Sequence, residues 1–185
     1  QKEPDIDSPK EDDFYNIGVV CKIKQMIKMP GDNIRVLVEG LNRAKIVEIT
    51  QSEPYFEILV DEYTYDFNLP IKEELEAIIR FSLDIFEDYA SIYNKVAPDA
   101  VLSLKGIKNP DKLADVLASY IYLKPEQKQE LLEIFEPYDR LEKLNNYIAK
   151  EIKVMQIEDE ISEQVKKQVS EFQRDYYLKE QMKAI

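Results

Sequence analysis

The stretch Ile17-Gly18-Val19-Val20-Cys21-Lys22-Ile23-Lys24-Gln25-Met26-Ile27-Lys28-Met29-Pro30-Gly31-Asp32-Asn33-Ile34-Arg35-Val36-Leu37-Val38 decides the fold class. Ile17, Val19, Cys21, Ile23, Ile27 and Met29 alternate with Lys22, Lys24 and Lys28, and period two with one wet side predicts a strand. Pro30 to Asn33 supply turn chemistry, and Ile34, Val36 and Val38 resume the alternation, so the stretch reads as an antiparallel hairpin. Cys21 falls on the inward face and is expected to be a small core hydrophobe.

Downstream, Gly40 interrupts the second strand and predicts a bulge or bend before extended structure returns from Ala44 to Thr50. Pro54 opens a third extended run, Tyr55 to Tyr65. There Phe56, Ile58 and Val60 lie on one side, and Tyr55, Leu59 and Tyr63 share the other with Glu57 and Asp61. Beyond Asn68 the period becomes about 3.6, and Pro70, Pro110, Pro125 and Pro137 stand at first-turn helix positions.

Helices are predicted near Ile71 to Val96, after the N-cap Asn109, and from Lys124 to Phe135. From Pro137 to Ile185 there is no further proline and no glycine. Leu141, Leu144, Ile148, Ile152, Met155, Ile161, Val165, Val169, Phe172 and Tyr176 form one narrow stripe. A helix of that extent is about 70 Å long, more than a small domain can cover. The expected organisation is an acidic loop over 1–13, a β subdomain over 14–67, a helical subdomain over 68–136 and a long helix over 137–185. The fold class is α+β.

Composition excludes several chemistries. The 185 residues contain no histidine, one cysteine and four glycines, none followed by lysine. A transition-metal site, an imidazole base and a phosphate-cradling P-loop therefore have no residues to build them. Asp5, Asp7, Asp12 and Asp13 lack the spacing of a calcium loop and read as a solvated charge run. The net charge of -12 argues against nucleic acid. No apolar run has the length of a membrane helix, and a lone cysteine suits the reducing cytoplasm. The charge is uneven: residues 1–137 hold 27 acids and 16 bases, whereas 138–185 hold ten and nine.

The segment Arg35-Val36-Leu37-Val38-Glu39-Gly40-Leu41-Asn42-Arg43-Ala44 resembles the strand, glycine and Arg-Ala signature in the amino-terminal domain of the ATP-dependent protease Lon. Leu113-Ala114-Asp115, Leu123-Lys124 and Lys128-Gln129-Glu130-Leu131-Leu132-Glu133 resemble its helical half, followed by Arg140-Leu141-Glu142. Gln173-Arg174-Asp175-Tyr176-Tyr177-Leu178-Lys179-Glu180-Gln181-Met182-Lys183-Ala184-Ile185 resembles the helix leading into the ATPase module, with Asp175 and Met182 as conservative departures.

The resemblance implies a partial, PUA-like antiparallel barrel in a bacterial, cytoplasmic Lon, with a further strand and helix segment before Gln1 and catalytic modules after Ile185. ATP, Mg and the Ser-Lys dyad would belong to those modules, so no catalytic, cofactor-binding or metal-binding residue is expected in this chain. Its partners would be unfolded or damaged polypeptides and other subunits of a homohexamer, with neither membrane nor nucleic acid.

The substrate-contact candidates are Met26, Leu37, Tyr55, Leu59 and Tyr63, apolar groups on otherwise polar strand faces; the competing reading packs them under the first helix or against amino-terminal strands that the resemblance places before Gln1. Candidates for self-association or interdomain contact are Ile161, Val165, Phe172, Tyr176 and Tyr177. Here the competing reading folds the long helix back on its predecessors.

Overall fold

The computed structural model describes residues 1–3, 5–31, 33–66, 72–93 and 96–183. Pro70 and Ile71, expected at the start of the first helix, and Asp32 of the hairpin turn lie outside the described residues, as do Ala184 and Ile185. Three strands precede five helices: β1 (Ile17–Lys28), β2 (Ile34–Gln51), β3 (Glu57–Tyr63), α1 (Glu73–Ile92), α2 (Pro98–Lys105), α3 (Pro110–Tyr120), α4 (Pro125–Glu133) and α5 (Pro137–Lys183). A 3-10 turn, Glu11–Asp13, stands before β1, where the Asp13 carboxylate accepts from the Lys10 amide at 2.7 Å. No described helix is long and apolar enough to cross a membrane.

The sheet is antiparallel in the order β1-β2-β3. Its hairpin closes with the Met29 amide donating to the Asn33 carbonyl at 2.7 Å and with Gly31 at φ 82°, a left-handed conformation that glycine adopts without steric cost. Next to Gly40 the register steps from Val20 opposite Asn42 to Cys21 opposite Gly40, leaving Leu41 as the extra residue of a bulge. A second bulge, which the alternation conceals, places Ile23 opposite Val38 and Gln25 opposite Leu37. Lys24 is the extra residue there, so Met26 rather than Ile27 continues the face of Ile23. β3 pairs only with the second half of β2, from Arg43 to Gln51. The first half of β2 and the facing half of β1 thus form a two-stranded ribbon, and every described residue from 21 to 41 is exposed. Cys21 is exposed, not the core residue its alternation predicts, because no third layer covers that part of the strand.

Contacts divide the chain into two compact units that interrupt one another: residues 1–72 with 124–140, and 73–123 with 141–185. This differs from the linear boundaries read in the sequence. The first unit is the sheet with α4, which packs on β1 through Gln129; its Nε2 donates to the Ile17 carbonyl at 3.0 Å. Lys124 precedes α4, and its amide donates to Gln127 Oε1 at 2.8 Å. The helix stops at Glu133, so Phe135 lies beyond it and packs its ring on Tyr63, centroids 4.9 Å apart.

The second unit holds the larger core. Phe86 and Tyr89 of α1, Leu104 of α2, Leu113, Ala114 and Leu117 of α3, and Leu141, Leu144 and Ile148 of α5 are buried together. α2 is an element the sequence reading omits. At eight residues it shows barely two turns of periodicity, although Pro98 at its start is the same first-turn signal used for the other helices. Asn109 caps α3 as expected, its side-chain oxygen accepting from the amides of Asp111 at 2.9 Å and Lys112 at 3.2 Å. The stripe on α5 changes character along its length. Leu141, Leu144 and Ile148 are fully buried, whereas every described residue from Gln156 to Met182 is exposed.

Candidate functional site

The sheet unit buries little of its apolar surface, and its open groups fall into separate sets. Residues directly opposite in an antiparallel pair point to the same side, so the register assigns the ribbon's faces. Cys21, Ile23, Met26 and Lys28 of β1 share one face with Ile34, Val36 and Val38 of β2. Lys22, Gln25 and Ile27 share the other with Arg35, Leu37 and Glu39. The first face is apolar except for Lys28 at its tip. On the second, Glu39 forms an ion pair with the bulged Lys24.

The five substrate-contact candidates therefore do not form one surface. Met26 and Leu37, 60% and 59% exposed, stand on opposite faces of the ribbon. Leu59, 54% exposed, faces outward from β3 opposite Glu48, and Tyr55, 65% exposed, precedes the strand. Tyr63 is half-buried and stacked on Phe135, so its ring is already engaged inside the unit. The group that geometry does assemble is Ile23, Met26, Val36 and Val38. Sequence alternation missed it because the Lys24 bulge reverses the strand's faces halfway along, and a bulge leaves no period-two signal of its own.

A cavity of about 500 Å³ opens where Phe14, Ile17 and Val19 meet Ala44, Ile46, Ile58 and Val60. Its wall is mainly apolar, with Gln1, Tyr15 and Gln129 as its polar side chains. Phe56 packs edge-on against Phe14 beside it, centroids 4.9 Å apart. Neither this cavity nor the ribbon presents a nucleophile paired with a base. Among the described residues, no three acidic or cysteine side chains are grouped to hold a metal ion.

In the helical unit the candidates Ile161, Val165, Phe172, Tyr176 and Tyr177 are all exposed on α5. Their spacing places the first four along one side of the helix. Upstream, Tyr89 has a clearly displaced phenol. Burial pushes its phenol above the ordinary value of 10.0, helped by neighbouring Tyr93 and Glu151 and opposed by the backbone of Tyr122. Its hydroxyl meets no partner at full hydrogen-bond geometry among the described residues.

The sheet unit carries an exposed ribbon that is apolar on one face, and the helical unit a compact apolar core. Residues 1–150 match the family described as the ATP-dependent protease La (LON) substrate-binding domain, and the chain belongs to that family. It is 44% identical over 188 residues to a Lon protease of Clostridioides difficile (strain 630), covering all of this chain and 24% of that protein. To a Lon protease of Bacillus thuringiensis (strain Al Hakam) it is 40% identical over 185 residues, covering all of this chain and 23% of the relative. The chain thus spans about a quarter of the length of these curated relatives. Its fold is similar to the N-terminal domain of the Mycobacterium avium complex Lon protease, with a TM-score of 0.63 at 24% identity over 76% of this chain and 74% of that one.

Proposed function

We propose that this chain is the non-catalytic, substrate-engaging part of a cytoplasmic ATP-dependent Lon serine protease. It holds apolar stretches of unfolded or damaged polypeptides and is continuous, through α5, with modules that hydrolyse ATP and cut peptide bonds. ATP, Mg and the Ser-Lys dyad belong to those modules, and the sheet is the incomplete part of a PUA-like barrel. The observation that carries the reading is the ribbon over residues 21–41, exposed at every described residue and apolar on one face. Binding to targets that share hydrophobicity and little else requires apolar groups kept soluble by interleaved charge.

Titration of a fluorescent, permanently unfolded protein with the chain tests this. Ile23→Asp, Met26→Asp, Val36→Asp and Val38→Asp, each with unchanged far-UV circular dichroism, are expected to weaken binding. Undiminished binding by all four together sinks the proposal.

A second reading rests on α5, whose Ile161, Val165, Phe172 and Tyr176 are exposed along one side. It takes the helix as an assembly element that pairs with copies of itself to order a homohexameric ring. Ile161→Glu with Phe172→Glu then abolishes self-association in sedimentation while leaving substrate binding intact. Loss of substrate binding with unchanged association state counts against it.

A further inference from the structure

The ribbon differs in charge from the rest of the molecule. Residues 21–40 carry Lys22, Lys24, Lys28 and Arg35 against Asp32 and Glu39, a net of +2 in a chain of net -12. Lys24 is neutralised by Glu39, but among the described residues Lys22, Lys28 and Arg35 form no ion pair. Lys28 closes the tip of an apolar face on which Ile23, Met26, Ile34, Val36 and Val38 are 43–60% exposed, and Lys22 and Arg35 stand on the opposite face. The long backbone edges of the ribbon pair with no third strand among the described residues, so an extended chain laid alongside finds donors and acceptors as well as side chains.

We infer that the ribbon selects extended polypeptide segments in which apolar residues alternate with acidic ones. Added at the ribbon's edge, such a segment turns alternate side chains to opposite faces: its apolar groups join the side of Ile23, Met26, Val36 and Val38, and its carboxylates come to the side of Lys22 and Arg35. This rests on the substrate-engaging reading above and narrows it to a substrate class. Charge complementarity picks the occupant: a second copy of the ribbon brings cations against cations, and a basic segment meets the same repulsion. The inference runs against the field of the whole chain, since a protein of net -12 attracts basic peptides by long-range steering alone. A preference for acidic peptides therefore reports a local contact.

The test uses three rhodamine-labelled decapeptides with the same alternating valine and leucine positions, bearing glutamate, serine or lysine between them, titrated with the full chain by anisotropy. The glutamate peptide is expected to bind about fivefold more tightly than the serine peptide, as two partly exposed ion pairs permit, and the lysine peptide more weakly than either. Salt at 0.5 M erases the difference on the unmodified chain, a readout independent of any variant's folding. Combined Lys22→Glu, Lys28→Glu and Arg35→Glu reverses the order. Equal affinity for all three peptides, or tightest binding of the lysine peptide, overturns the acidic selectivity and leaves apolar capture standing. No binding of the serine peptide or of the others overturns both. A concentration-dependent dimer in sedimentation that disappears with Ile23→Asp and Val36→Asp gives the face to a second copy and overturns the inference.

Discussion

Gln129 of α4 donates to the backbone carbonyl of Ile17 at the start of β1, at 3.0 Å across 112 positions of sequence. Its amide also donates to Glu133 Oε1 at 2.8 Å, so both hydrogens are used and the side chain is held in one orientation. A helix that follows the helical core in sequence is thereby attached to the sheet that precedes it.

Gln129→Ala removes that attachment and leaves the Ile17 carbonyl to find water at a partly buried site. The expected cost is about 1 kcal/mol, a roughly fivefold loss of amide protection. Hydrogen exchange followed by mass spectrometry should place the loss in Ile17–Val20 and Arg43–Ile46, with α1 to α3 unaffected. A uniform loss over the whole chain contradicts the local attachment.

Arg140 is the largest fully buried side chain, 1% exposed in the first turn of α5. Its guanidinium folds back on the segment between α4 and α5, donating from Nε to the Ile134 carbonyl and from Nη2 to the Phe135 carbonyl, each at 2.8 Å. Phe135 in turn packs on Tyr63, so Arg140 is a positioning residue for the contact between that segment and β3. Arg140→Leu keeps the volume but leaves two carbonyls without these donors, and a loss of about 3 kcal/mol is expected in urea denaturation. Arg140→Lys, with a point charge in place of the planar fork, should recover only part of it.

Asn109→Ala deletes the two bonds that cap α3 and should destabilise the helical unit by about 1 kcal/mol. Asn109→Asp retains the acceptor and should stay close to the unmodified chain. The comparison of urea midpoints by far-UV circular dichroism separates the cap from a general effect of altering the loop.

Tyr89 makes the helical unit sensitive to alkali. Its folded pKa lies above the unfolded value of 10.0, chiefly through burial, so the native state keeps a proton that the unfolded chain releases. Stability from this group is fully present below pH 10 and is lost as the pH rises through the folded pKa. Tyr89→Phe should leave the neutral midpoint nearly unchanged, because the hydroxyl it removes has no full hydrogen bond, and should flatten the fall above pH 10. An equally steep fall in the variant assigns the alkaline transition to other tyrosines.

The local features were legible because each is written within a few residues. Period-two patterning marks β1, and Gly31 gives the hairpin its left-handed turn. Gly40 lies beside the bulge at Leu41, while a proline at the start and Asn109 just before mark α3. The glycine-free run after Pro137 foretells a 47-residue helix. The order of strands before helices follows from the change of period, since 2.0 and 3.6 cannot describe one element.

Only the tertiary structure decided which faces are covered. Alternation states that Cys21 and Ile23 lie on one side but not that anything packs there, and β3 is too short to reach them. The Lys24 bulge, which puts Met26 in place of Ile27 on that face, is a property of register between two strands. The same holds for α4, which joins the sheet through a bond spanning 112 residues, and for Tyr63, whose expected open ring is taken by Phe135. Turns, caps and periodicity are energies of neighbouring residues. Burial, register and long-range pairing depend on how much apolar surface each unit can cover, and that quantity exists only once the chain has closed on itself.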